Sequence, residues 1–360
     1  MRVLIAGGGT GGHLFPGIAL AEEFKRRDPE SICVFVGARG GIESKVVPKE
    51  GFELRSIDIK GLKGKSFKEK LRNLFLIPQS IYQSIALIKE YNPELVIGMG
   101  GYASAPVVFA ALLGRIKRVI CEQNTIPGIT NRILARFVNS IFISFSETRY
   151  LSSMNKARFT GNPIRKKLID GSLKGKEHKG KFTLLILGGS QGAHSLNEKI
   201  LDALDYLMPV RESLNIIHQT GEADYKWVCQ TYKEKGVTSE VMGFIDDMAA
   251  VYRDADLVIC RAGATTISEL TLYGKASVLI PYRFAADNHQ EINARVLVDN
   301  EAAKIVLNGD LTGENLAGMI SDLVADPIAV LRMGENARKL GKPGAAEDIV
   351  DSCYELLGMN

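Results

Sequence analysis

The residues with the clearest chemical potential lie in GFIDDMAAVYRDADLVICRAGATTISELTLYGKASVLIPYRFAADNHQ, which runs from Gly243 to Gln290. Asp256-Leu257-Val258-Ile259-Cys260 is an apolar run of strand length. Arg261-Ala262-Gly263-Ala264-Thr265-Thr266 turns it into a helix with Ile267, Leu270 and Leu272 at core-like spacing. A strand that ends in a glycine turn and feeds a helix leaves unpaired N–H groups at the helix start, and these favour an anion. A second strand, over 276–281, leads into the amide-rich turn Asp287-Asn288-His289-Gln290, whose neutral donors and acceptors suit sugar hydroxyls. Thr266 and Glu269 also fit an S/T-x-x-E capping box, a reading in which they serve only the helix.

The first half carries three similar junctions. A buried-type strand over 3–6 runs into Gly7-Gly8-Gly9-Thr10-Gly11-Gly12-His13, which contains G-x-G-x-x-G ahead of a helical pattern over 14–27. A dinucleotide site requires an acidic residue at the end of the second strand to hold a ribose hydroxyl. That strand, over 32–36, is followed by Gly37-Ala38-Arg39, so the acid is missing and a nicotinamide cofactor is discounted. The glycines read as a loop that lets a phosphate approach. His13 is either a packing residue at the helix start or a polar group aimed into a cleft. Gly98-Met99-Gly100-Gly101-Tyr102-Ala103-Ser104-Ala105-Pro106 and Glu122-Gln123-Asn124-Thr125-Ile126-Pro127-Gly128, with Asn131 beyond, repeat the pattern. All three fall at the sheet edge where open parallel sheets hold ligands.

Positioning these groups takes an α/β chain with two similar halves. Strands are expected over 3–6, 32–36, 52–57, 94–97, 118–121 and 141–144, with a break at Gly161-Asn162-Pro163 and a basic linker over 165–181. The plan then restarts: a strand over 182–187, Gly188-Gly189-Ser190-Gln191-Gly192-Ala193, a helix over 195–207, and strands over 215–219 and 239–242. This predicts two Rossmann-like parallel-sheet domains, one of 1–163 with a C-terminal helix in 343–360, the other of 164–342. A length of 360 residues supports two cores, and 46% hydrophobic residues can fill them.

A net charge of +4 is too small to argue for nucleic acid. The five cysteines form no C-x-x-C pair and no zinc spacing, which fits reduced, mostly buried thiols in a cytosolic protein. The N-terminus reads as a first strand, not a signal peptide. No apolar run approaches the roughly 20 residues of a membrane span, so membrane contact is expected to be peripheral. Lys60, Lys63, Lys65, Lys68, Lys70 and Arg72, offset only by Glu69, adjoin Leu71, Leu74, Phe75, Leu76 and Ile77. A basic stretch beside an apolar one is the pattern of a helix on an anionic membrane, or of a solvated lysine face on a core helix. Asp246-Asp247 is not D-x-D, and no His/Cys/Asp cluster has metal-ligand spacing, so no metal is expected.

GGGTGGHLFPGIAL, GMGGYASAP, CEQNTIPGITN, TGNPIR, LGGSQGAHSLN and GFIDDMAAVYRDADLVICRAGATTISEL with PYRFAADNHQ together resemble the MurG family, in the same order along nearly the whole chain. Those enzymes move N-acetylglucosamine from UDP-N-acetylglucosamine to lipid I, giving lipid II for peptidoglycan. The resemblance implies a GT-B architecture with a deep cleft between the domains. It implies donor contacts from Thr10, Gly11, Gly12, Asn124, Arg165, Ser190, Gln191, Phe244, Ile245, Ala264, Thr265, Thr266, Glu269, Asn288, His289 and Gln290. Within that set Phe244, Ile245 and Arg165 would meet the uracil, Glu269 the ribose, and 288–290 the sugar.

Acceptor contacts would come from Thr10, His13, Tyr102, Glu122, Asn124 and Asn131. Inversion at the anomeric carbon by a C4 hydroxyl needs a base, for which His13 is the first candidate and Glu122 the second. Lys65, Lys68, Leu71, Arg72, Leu74 and Phe75 would dock on the anionic cytoplasmic face of the cell membrane, with other cell-wall synthesis proteins as candidate partners. Two positions depart from the family: Cys121 stands where His is frequent, and His289 where some members have Gln. Another lipid-directed GT-B transferase and a non-catalytic nucleotide-sugar-binding subunit are the competing readings. The acceptor-half motifs favour lipid I over the former, and two intact glycine-loop halves disfavour the latter.

Overall fold

The computed structural model describes the chain except residues 61–66, 176–179, 190, 191 and 360, and the side chains of 67–75. It divides into two compact units, Met1–Lys166 with Pro343–Asn360, and Lys167–Lys342.

Unit 1 holds strands β1 (Arg2–Ala6), β2 (Ile32–Ala38), β3 (Glu53–Ile57), β4 (Leu95–Gly98), β5 (Lys117–Glu122), β6 (Ser140–Ile143) and β7 (Ala157–Phe159). They form one sheet in the order β3-β2-β1-β4-β5-β6-β7, every pair parallel. Helices cover both faces, so β1 is buried on both sides from Val3 onward and reads there as an unbroken apolar run. Val3 and Ile5 face one core with Leu14, Ile18 and Phe24, whereas Leu4 and Ala6 face another with Val107 and Val108. The C-terminal helix Ala345–Leu357 closes the first of these cores with Ile349, Val350 and Cys353. Ion pairs of Arg27 with Asp351 and Arg158 with Glu355 fasten its exposed side.

Unit 2 holds β8 (Phe182–Leu187), β9 (Leu214–Gln219), β10 (Ser239–Met242), β11 (Leu257–Cys260), β12 (Ala276–Leu279) and β13 (Ala303–Ile305). Their order is β10-β9-β8-β11-β12-β13, again all parallel. The basic stretch expected to be a linker is not one throughout. Lys166–Ser172 is a helix in which Leu168 and Gly171 are buried, and Tyr273 Oη donates to the Leu168 carbonyl at 2.7 Å.

In both sheets the chain leaves one central strand toward opposite sides, β1 in unit 1 and β8 in unit 2. Loops that diverge at such a switch point leave a crevice at the strands' carboxyl ends. The sheet order alone therefore selects the loops after β1 and β4, and after β8 and β11.

Candidate active site

In unit 1 the loops after β1, β4 and β5 come together. A Cβ at Gly101, whose φ is 75°, would lie 2.8 Å from the Gly8 carbonyl oxygen, so only glycine lets the two loops close on each other. His13 stands on the first turn of the helix Gly11–Arg27, with its ring against Gly100, where a Cβ would come within 2.9 Å of Cε1. The ring's Nδ1 is 3.0 Å from Oε1 of Gln123. With that carbonyl oxygen as acceptor, Nδ1 carries the proton and Nε2 the lone pair, the tautomer a general base requires. Gln123 is 2% exposed. No spacing rule singles it out, because its partner lies 110 residues away.

Glu122 is also 2% exposed, at the end of β5. One carboxylate oxygen accepts from the Asn124 backbone N–H (2.9 Å) and amide (3.4 Å), the other from the Gly128 N–H (3.2 Å) and Asn131 Nδ2 (2.8 Å). Burial pushes its pKa up while these donors pull it down, and burial prevails. A carboxylate already accepting four N–H groups is built to shape the 122–131 loop. Thr10 is exposed and extended, and its carbonyl receives the N–H groups of His13 and Leu14. Tyr102 is 44% exposed. Cys121, by strand alternation, points away from Glu122 into the core with Phe142 and Cys353, and burial raises its thiol pKa well above the usual range. The departure from His at this position is thus a core substitution.

No acid stands at the end of β2, as the sequence indicates, but one from the next helix reaches back to it. It is Glu43, first residue of the helix Glu43–Lys49, and it is turned inward. Its carboxylate accepts from the N–H groups of Gly9 (3.1 Å) and Ala38 (2.9 Å). The protein's own carboxylate therefore joins the glycine loop after β1 to the end of β2. Arg165 belongs to unit 1, where its guanidinium lies 4.3 Å over the Phe15 ring and 3.6 Å from Glu50.

In unit 2 the helix Ala264–Tyr273 begins after Gly263, which is its N-cap and provides no side-chain cap. Thr266 is therefore inside the helix, and the capping-box reading of Thr266 and Glu269 fails. Glu269 instead accepts a 2.9 Å hydrogen bond from Tyr252 Oη, and both side chains are buried. Arg261 ties the surrounding elements together. It donates to Ser195 Oγ (2.7 Å) at the start of the helix His194–Ala203 and to the Ile280 carbonyl (3.1 Å) beyond β12. Its guanidinium is partly desolvated, which lowers its pKa without threatening its charge.

Past β12, Asp287 and Asn288 take left-handed φ of 52° and 54°. His289 Nδ1 lies 2.7 Å from the Ala286 carbonyl, Gln290 Oε1 accepts from the Tyr282 N–H at 2.9 Å, and Asn288 donates to Glu291. Phe244 is exposed and Ile245 buried. Ser190 and Gln191 lie outside the described residues, as do the side chains of Lys65, Lys68, Leu71, Arg72, Leu74 and Phe75. Among the described residues no group of three His, Cys, Asp or Glu side chains could hold a metal, and no helix is long and apolar enough to cross a membrane.

Residues 3–143 match the glycosyltransferase family 28 N-terminal domain, and residues 183–349 match its C-terminal domain. A protein of Myxococcus xanthus is 48% identical over 357 residues, which span 99% of this chain and 93% of that one. One of Thermodesulfovibrio yellowstonii is 47% identical over 99% of both. Each is named UDP-N-acetylglucosamine–N-acetylmuramyl-(pentapeptide) pyrophosphoryl-undecaprenol N-acetylglucosamine transferase. The crystal structure of Acinetobacter baumannii MurG superposes with a TM-score of 0.78 at 30% identity, covering 98% of this chain and 99% of that one. Two parallel-sheet domains with glycine-turn loops at their carboxyl edges are those of a GT-B-like glycosyltransferase. The chain belongs to glycosyltransferase family 28, and within it to the MurG transferases.

Proposed function

We propose that this protein transfers N-acetylglucosamine from UDP-N-acetylglucosamine to the C4 hydroxyl of the N-acetylmuramyl group of lipid I, giving lipid II. The observation that carries this reading is the 48% identity, over 99% of the chain, to a relative named for that transfer. Unit 2 takes the donor and unit 1 the acceptor. His13 Nε2 removes the C4 hydroxyl proton as the oxygen attacks the anomeric carbon, and UDP leaves with inversion. Charge developing on the diphosphate is met by the first-turn N–H groups of the helix Ala264–Tyr273 and by the Arg261 guanidinium beside it. No metal is assigned a role, so turnover should survive EDTA. Abolition by EDTA with rescue by a divalent cation would overturn this account of the leaving group.

The direct test is incubation with UDP-N-acetylglucosamine and a lipid I analogue. UDP should appear only when both are present. Release that ignores the acceptor, or none at all, removes the assignment.

Glu269 is assigned to the donor's ribose hydroxyls, with Tyr252 Oη holding its carboxylate in place. Glu269→Ala should weaken UDP-N-acetylglucosamine binding by about 1.5–3 kcal/mol, the worth of a hydrogen bond to a charged group. Calorimetry of UDP binding checks this. Lost thermal stability with unchanged affinity would leave Glu269 a partner of Tyr252 only. Because lipid I presents its pyrophosphate at a bilayer surface, the enzyme is placed peripherally on the cytoplasmic face, with the 60–78 segment as the docking element. Reversing Lys65, Lys68 and Arg72 to Glu should cut binding to anionic vesicles and spare turnover of a water-soluble acceptor. Vesicle binding that persists at low salt would move the docking surface elsewhere.

A further inference from the structure

Glu43 has no part in the reaction as derived so far, yet the loop that carries His13 is built around it. Its side chain is 1% exposed. The two N–H groups that it accepts come from different loops: Gly9, one residue before the N-cap Thr10, and Ala38, at the end of β2. Neither belongs to its own helix, whose N-cap position, Ile42, makes no side-chain cap. Three glycines make room for it, since a Cβ at Gly8, Gly37 or Gly41 would collide with its carboxylate end. A charged group buried this deeply needs such donors, and a loop rich in glycine needs something to fix its conformation.

We propose that Glu43 is a positioning residue for the transfer. Its carboxylate pins Gly9 to the end of β2, and the pinned loop delivers the His13 ring to its place against Gly100 and Gln123. The glycine loop of unit 1 is thus ordered by an internal anion on one side while its other side carries the reacting group. This inference rests on the reading of His13 as the base.

The test uses the full-length protein, UDP-N-acetylglucosamine and a lipid I analogue, with Glu43→Ala, Glu43→Gln, His13→Ala and the Glu43→Gln/His13→Ala double variant. Glu43→Ala should lower kcat on the order of 10²-fold, the effect of displacing a catalytic group by about 1 Å. The KM for UDP-N-acetylglucosamine, taken mainly by unit 2, should change far less than kcat, because only Thr10, Gly11 and Gly12 of the donor contacts lie on the loosened loop. Formate, a carboxylate small enough for the vacated space, should restore turnover in Glu43→Ala, and chloride at equal ionic strength should not. Glu43→Gln keeps one acceptor oxygen, turns an NH₂ toward the second N–H donor, and should fall between the two. It should cost less in the His13→Ala background than in the wild type, because residues acting through one another are not additive.

A Glu43→Ala enzyme with wild-type kcat overturns the proposal. So does a loss without formate rescue that raises the donor KM and lowers Tm in parallel, since that marks a purely structural residue. If Glu43→Ala does not fold, the kcat-against-KM pattern and non-additivity of Glu43→Gln decide the matter. If His13→Ala keeps its kcat while Glu43→Ala shows formate-rescued loss, the base assignment falls and the loop's dependence on Glu43 stands.

Discussion

Replacing His13 by alanine should lower kcat by roughly 10²–10⁴-fold, the usual contribution of a positioned general base, with UDP-N-acetylglucosamine affinity unchanged. Three features of unit 1 lead to this expectation. The glycine at position 100 lets the ring approach the loop after β4 closely. The buried Gln123 carbonyl fixes the tautomer that leaves the lone pair on Nε2. The helix Gly11–Arg27 presents the residue from its first turn, so backbone geometry sets its position. Single-turnover kinetics with a lipid I analogue would separate the chemical step from binding. A variant that retains kcat but raises the acceptor KM would reassign His13 to holding the acceptor. Glu122 would be a poor replacement as base, because both its oxygens already accept two N–H groups each. Gln123→Leu should lower kcat in the same direction as His13→Ala, and by less.

The parts of the fold that could be read from sequence are those where one strand carries its own signal. β1 from Val3 to Ala6 and β8 from Leu184 to Leu187 are unbroken apolar runs because helices cover both faces, and the glycines after each mark where the chain turns into a helix. Short elements carry no such signal. β7 and β13 are three residues long, and the helix Lys166–Ser172 buries only Leu168 and Gly171, too few to set a period. The site divides in the same way. His13 and Glu122 stand at strand-to-helix junctions, and Glu269 in the helix that follows one, and all three are visible in the sequence. The residues that hold them are not. Gln123, Glu43 and Tyr252 reach their partners across 110, 34 and 17 positions of chain. Glu43 was hidden for a further reason: it opens the helix beyond the glycine-containing turn after β2, and its carboxylate reaches back to the strand end. A motif that expects the acid on the strand finds none.

Unit 2 contains a buried histidine whose ionisation should be visible in the pH dependence of stability. His218, in β9, is fully buried. Tyr232 Oη is 3.1 Å from its Nδ1, and Oδ1 of Asn197 is 3.1 Å from its Nε2. Asn197 passes the chain on by donating to the Thr220 carbonyl and to Asp224. Because Asn197 Oδ1 accepts only, Nε2 carries the proton and Nδ1 accepts from the tyrosine, so the ring is satisfied in its neutral form. Burial lowers its pKa from the ordinary 6.5 to about 3, with the Asp224 charge opposing weakly. Between those values the unfolded chain binds the proton and the folded one does not, so stability rises with pH. The contribution is complete above pH 6.5 and is lost as pH falls toward 3. At about 1.4 kcal/mol per pH unit, the wild type should lose about 3 kcal/mol between pH 6.5 and pH 4 relative to His218→Gln, which does not titrate. Trp227, the single tryptophan, lies in the helix Tyr225–Glu234 that also supplies Tyr232, so its fluorescence follows the unfolding of this unit. Denaturant curves for both proteins at each pH give the difference, with the same tryptophan as reporter in each. Parallel stability profiles would mean that His218 accepts its proton inside the folded unit and that the Tyr232–His218–Asn197 chain rearranges to hold it.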